Sequence, residues 1–193
     1  MADTKISAMT AATLPLTGTE LVPIVQGGDN KKTTVGDIAE VFRSYGAWSD
    51  STDQAGSTVA GAVVTYNTQD VTDTVTLVDN SKITVPNTGV YDLQFSMQLR
   101  NTDNQQHESV IWFKVNGTDV PNSATRITVP ARKNNNIYGY AVAAWNIFLS
   151  MNSSDYVEIY WQTSSALVTM EHDSAGATYP AIPSVIVTIQ QVA

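Results

Sequence analysis

The sequence contains no cysteine, so a disulfide framework, a thiolate metal site and a cysteine nucleophile are all excluded. It has two histidines, His107 and His172, which leaves few general bases and few imidazole ligands. Cations are scarce: 10 Lys and Arg stand against 18 Asp and Glu, a formal net charge of -8. Phosphate binding requires clustered cations. The longest basic runs are the dipeptides Lys31-Lys32 and Arg132-Lys133, so no nucleic-acid partner is expected. No apolar run is long enough to span a bilayer, and Met1-Ala2-Asp3-Thr4-Lys5 lacks the apolar stretch of a signal peptide. The expectation is a soluble chain without membrane insertion, at home in a reducing cytoplasm.

What is present is an ordinary hydrophobic fraction of 42% with only 15% charged residues. Thr, Ser, Asn and Gln take the surface places that Lys and Glu usually fill. Thr and Val suit strands, while the good helix formers are few, so the composition favours β-structure.

Residues 1–46 read as an arm built from a hairpin and a short helix. Leu21-Val22-Pro23-Ile24-Val25-Gln26 is a short apolar run whose Pro23 removes a ladder donor, hence an edge strand. Gly27-Gly28-Asp29-Asn30 signals a turn, after which Lys31 to Val35 returns as the second strand. Thr34 is the expected N-cap of a helix, with Asp37 in the capping-box position and Ile38, Val41 and Phe42 on one face. So small a unit cannot bury its own apolar side chains. Val22, Ile24, Val35, Ile38, Val41 and Phe42 are therefore the candidate docking residues, and Phe42→Asp is expected to abolish docking.

Residues 47–58, small, polar and Gly-containing, read as a linker. From residue 59 to 193 the chain is a succession of strand-like runs separated by turn clusters. They are Val59 to Tyr66, Val75 to Val78, Lys82 to Val85, Val90 to Leu99, Ser109 to Val115, Thr125 to Val129, Ile137 to Leu149, Asp155 to Gln162, Leu167 to Glu171 and Ser184 to Val192. Alternation places Tyr91, Leu93, Phe95, Met97 and Leu99 on one face, and sets Val157, Ile159 and Trp161 against Glu158, Tyr160 and Gln162. Val185 to Ile189 is apolar on both faces, which predicts a central strand buried on both sides. Short strands at this spacing with no helical pattern between them predict a sandwich, most simply a jelly roll.

Two stretches resemble known families. The arm residues Ile6-Ser7, Leu14, Thr17 to Gly27 and Lys32 to Ile38 resemble a module near the N-termini of tailed-phage fibre and other virion surface proteins, where it serves attachment or spacing. The head resembles the trimeric jelly rolls of the tumour-necrosis-factor and complement-head superfamily, which phages also use. The residues that carry this are Pro86 to Leu93, Phe113 to Val120, Leu149 with Ser154-Asp155-Tyr156-Val157, and Pro183 to Ile189. Members commonly have Gly where Ser154 stands. The resemblance implies a homotrimer with one sheet face of each subunit turned to the three-fold axis. Tyr91, Phe95, Trp145 and Tyr160 are the candidates for that face.

No residues form a recognised catalytic or metal pattern, so an enzyme, a cofactor and a metal are not expected. Glu171-His172-Asp173 offers ligand types, but reads more simply as a polar strand end. Serines are plentiful, yet none sits in a nucleophile elbow, and two histidines give little choice of base. Asp70, Asp73 and Asp79 could supply paired carboxylates for glycoside hydrolysis, but they lie in a loop and edge strand. Asn116-Gly117-Thr118 and Asn152-Ser153-Ser154 match the glycosylation sequon, although Asn-Gly is first a hairpin turn. Trp112, Trp145, Tyr160 and Trp161 can stack on a host surface glycan or fill the core.

The expectation is a virion structural protein assembled in the bacterial host cytoplasm. The favoured form is a capsid decoration or cement protein whose arm binds the major capsid protein. The alternative is a short tail or head fibre whose arm enters an adaptor protein and whose head binds a receptor, through loops such as Asn101 to Glu108 or Asn134 to Asn136. A glycan-degrading tailspike is a remote third. The absence of heptads or repeats between arm and head favours decoration, since a fibre needs a shaft.

Overall fold

Strand makes up 57% of the chain in the computed structural model, which establishes the all-β class. The structure describes residues 14, 16–40 and 44–193. The chain divides into two compact units, Met1–Phe42 and Arg43–Ala193.

In the first unit, β1 (Leu21–Gln26) and β2 (Asp29–Thr34) form an antiparallel hairpin with Gln26 opposite Asp29. Gly27 and Gly28 close it with φ of 64° and 87°, a primed turn that only residues tolerant of positive φ adopt. Helix α1 (Val35–Glu40) follows directly. The expected capping box forms: the Asp37 amide donates to Thr34 Oγ1, and the Thr34 amide donates back to Asp37 Oδ2, both at 3.0 Å. Hydrogen bonds from Thr34 and Thr33 hold the Asp37 carboxyl below its ordinary range.

The segment before the hairpin completes the unit. Val35 and Gly36 donate their amides to the carbonyls of Glu20 and Gly18, so the orphan donors at the helix start are satisfied. A Cβ on Gly36 would lie 2.9 Å from the Gly18 carbonyl oxygen, which reserves the position for glycine. The Glu20 carboxylate accepts from the Thr17 and Gly18 amides and the Thr17 hydroxyl.

The second unit contains β3 (Tyr45–Asp50), β4 (Gln54–Ala55), β5 (Ala62–Val63), β6 (Thr68–Asp73), β7 (Thr76–Val78), β8 (Lys82–Thr84), β9 (Gly89–Asn101), β10 (His107–Val115), β11 (Thr118–Asp119), β12 (Thr125–Val129), β13 (Gly139–Met151), β14 (Tyr156–Thr163), β15 (Val168–Met170) and β16 (Val185–Gln191). One sheet runs β13-β9-β16-β3-β6, with β15 and β4 continuing the row past the end of β16. The other runs β12-β10-β14-β8-β7, with β11 and β5 paired at its margins. All these strand pairs are antiparallel.

The inner faces meet as alternation predicts. Tyr91, Leu93, Phe95, Met97 and Leu99 of β9 face Ile111 and Phe113 of β10 and Val157, Ile159 and Trp161 of β14, all buried. Phe95 and Trp145 of the first sheet pack edge-on at 4.5 Å between centroids, and each meets Phe113 of the second. The Asn116-Gly117 turn links β10 and β11 with φ of 49° and 77°, as its sequence predicts.

Two expectations are corrected. Residues 47–58 are not a linker: β3 and β4 fall within or across them, and Trp48 and Asp50 are buried inside the sandwich. The head therefore begins at β3, between β16 and β6, rather than at residue 59. The run Val59 to Tyr66 contracts to the two residues of β5, and Val59 is 91% exposed. The final strand is central, as expected, but is not buried on both faces. Val185, Val187 and Ile189 point into the core, whereas Ile186 is 41% exposed.

Candidate functional site

The most unusual surface of the head is the outer face of the first sheet. On β13, alternation sends Gly139, Ala143, Leu149 and Met151 inward and exposes Tyr140, Val142, Ala144, Asn146 and Phe148. Tyr140, Val142 and Phe148 are each more than half exposed. The register aligns cross-strand rows: Ala144, Ser96, Ile186 and Ser49 in one, and Asn146, Gln94, Thr188, Ala47 and Val71 in the next. A groove of about 320 Å³ lies along this face between Tyr45, Ala47, Val71, Asp92, Gln94 and Thr188.

Two charged groups beside these rows have partners within the chain. Asp92 accepts from Asn146 Nδ2 at 3.1 Å and Gln94 Nε2 at 3.0 Å. Arg100 pairs with Glu171, lies 3.6 Å from Asp53 and stacks 5.4 Å from the Tyr138 ring centroid. Burial, with the nearby Glu171 carboxylate, pushes the Tyr140 phenol up. Among the described residues β13 pairs with β9 alone, so this thirteen-residue strand forms an edge of its sheet, with the backbone groups of alternate residues unpaired.

The four candidates for the trimer axis separate. Tyr91 and Phe95 belong to the core between the two sheets, and Trp145 packs against Phe95 within it, so these three do not lie on an outer face. They were misassigned because alternation fixes which residues share a face but not which face is inward. Tyr160 lies on the outer face of the opposite sheet, 5.8 Å from Trp112, with Lys114 Nζ 4.6 Å above its ring. The residues missed were Tyr140, Val142, Phe148 and Ile186, whose signal was the two-sided apolar character of their strands.

In the arm, Val22, Ile24 and Val35 are half-buried and Ile38 is 41% exposed, while Val41 and Phe42 lie outside the described residues. The more exposed hairpin face was not foreseen: it carries Leu21, Pro23 and Val25, with Leu21 60% and Val25 72% exposed.

The remaining chemical candidates resolve locally. Glu171 is committed to Arg100, the His172 amide donates to Asp53, and no metal-ligating cluster forms among the described residues. Asp70 and Asp73 lie on the edge strand β6, and Asp79 pairs with Lys82. Trp161 is core, whereas Trp112 keeps a partly exposed ring whose Nε1 donates to Asp119 at 2.8 Å. No family model matches the chain, and no curated protein matches it.

Proposed function

We propose that this chain is a phage virion surface protein, a capsid decoration protein whose arm docks on the shell and whose head is a trimeric jelly roll. The observation that carries the reading is the arm. It is a separate unit with its own hydrogen-bonded framework, yet it leaves Leu21, Val25 and Ile38 exposed. Such a unit gains stability by resting those side chains on another surface. The residues of the internal framework, Thr17 to Glu20 and Thr34 to Asp37, are among those that resemble the virion attachment module.

The strand orders β13-β9-β16-β3-β6 and β12-β10-β14-β8-β7 support the jelly-roll reading of the head. The outer face of the first sheet supports self-association, because Val142, Phe148 and Ile186 are exposed on it and the Arg100 charge beside it is paired with Glu171. Its occupants are two further copies of the chain, packed on Val142, Phe148 and Ile186 around a three-fold axis.

The test is co-sedimentation of purified protein with particles stripped of it. Leu21→Asp combined with Ile38→Asp is expected to abolish binding while the far-ultraviolet circular dichroism stays that of the parent. Undiminished binding by this variant would remove the arm from the attachment role.

A further inference from the structure

Three residues from two loops converge at one end of the second sheet. His107, at the start of β10, has Nε2 2.7 Å from Asp103 Oδ2 and Nδ1 3.3 Å from Ser164 Oγ. With the proton on Nε2 donated to the carboxylate, Nδ1 presents its lone pair to the serine hydroxyl, which donates to it. That is the order of roles in a nucleophile, base and orienting-acid relay.

The relay is held from behind. The Asp103 amide donates to Asn101 Oδ1 at 2.8 Å, and Asn101 is fully buried, its own amide donating to the carbonyls of Gln105 and Pro130. The Asn104 amide donates to the other carboxylate oxygen of Asp103 at 2.7 Å. The hydrogen bond from His107, followed by that from Asn104, keeps the Asp103 carboxyl below its usual range, and Arg132 adds to this. The carboxylate thus stays ionised and fixed, as an orienting acid must.

Ser164 also lines an open cleft of about 320 Å³ with Thr58, Glu108, Val110, Gln162 and Thr163. This is the size of a small-ligand site. The cleft contains an amide donor with little else to do: Gln162 Nε2 reaches only the Thr58 carbonyl among the described residues, at 3.4 Å. The Glu108 carboxylate, 3.4 Å from Arg126, lies on the same wall and disfavours anionic acyl groups.

We propose that Ser164 is a nucleophile activated by His107, and that this cleft accepts small neutral esters. Ser164 Oγ bonds to the ester carbonyl carbon as its proton passes to His107 Nδ1, and the carbonyl π pair moves onto oxygen, toward the Gln162 amide. Collapse breaks the carbon–oxygen bond to the alcohol, which leaves with the proton from His107. Water, deprotonated by the same imidazole, then releases the carboxylic acid and restores the serine. Asp103 acts through His107 as a positioning residue. The activity belongs to the head and does not depend on attachment or on trimer formation.

The probe is a fluorophosphonate, which forms an Oγ–P bond and loses fluoride only at an activated serine. The intact chain is labelled and the modified residue located by peptide mass mapping. Ser164 is expected to react while Ser153, also exposed but with its hydroxyl donated to the Pro86 carbonyl rather than to a base, does not. His107→Gln is expected to slow labelling by ~100-fold, the scale of a lost general base, and Asp103→Asn to slow it as well, with thermal melting confirming the fold of each. Labelling of Ser164 no faster than Ser153, or unchanged in a folded His107→Gln chain, overturns the proposal and leaves His107 as a clamp between two loops. The comparison of Ser164 with Ser153 within the parent chain decides the matter even if a variant fails to fold.

Discussion

At Glu20 one carboxylate closes the turn that satisfies the helix start, and its hydrogen bonds, chiefly from the Thr17 amide, hold its pKa at about 2 against an ordinary 4.5. A depressed folded value means that the stabilisation is complete above about 4.5 and is lost as pH falls toward about 2. Amide shifts of Thr17 and Gly18, followed by NMR, are therefore expected to titrate with a midpoint near 2 rather than near 4.5. The head offers a second test at Ser154, where the resembling family commonly has glycine. Its φ is 71°, the left-handed region, and its amide donates to the Val85 carbonyl. Ser154→Gly keeps that bond and removes the Cβ penalty, so it is expected to raise stability by up to ~1 kcal/mol, read from the urea midpoint. Asn116 behaves oppositely: at φ 49° its side chain donates to Asp155 and accepts from the Tyr156 amide. Asn116→Ala is expected to cost ~1–3 kcal/mol. Such local features were legible in the sequence, because a cap or turn is written within a few residues. Thr34 and Asp37 lie three apart, whereas Ser164 and His107 lie 57 apart and only the sheet brings them together.

Among the elements, strand existence followed from alternation and turn chemistry wherever a run carried several large apolar residues. The segment at β3 reads as a linker because it is polar and small, whereas the Asp70 to Asp73 stretch does lie in an edge strand as expected. In β3 only Trp48 is a large inward side chain, and β6 is an edge strand with a bulge against Ala47 and Trp48. Which face of β13 and β16 looks outward depends on the second sheet, so the apolar outer face was not legible in a single strand's pattern. That face carries an element-scale prediction. Phe148→Asp changes a side chain that is 61% exposed, so the chain is expected to keep its fold and its thermal transition while losing the proposed self-association. Sedimentation velocity at micromolar concentration reads this directly. A variant sedimenting like the parent would remove the β13 face from the subunit contact.

The whole molecule comprises a small N-terminal unit, proposed here as the attachment element, and a β-sandwich head. The sequence marked two units but set the boundary too late, because the small polar residues after Tyr45 hide a strand that completes the first sheet. Many weak arm contacts, repeated over a lattice, give durable binding without a large interface on any one copy. In the proposed trimer the same logic applies again, since three arms carried by one assembly would bind as a unit. The most direct measurement is the copy number of this chain in purified particles, by quantitative mass spectrometry against the major capsid protein. Lattice decoration predicts on the order of hundreds of copies, in multiples of three. A few tens at most would instead fit a fibre at a tail or vertex, and absence from the particle would contradict a virion role.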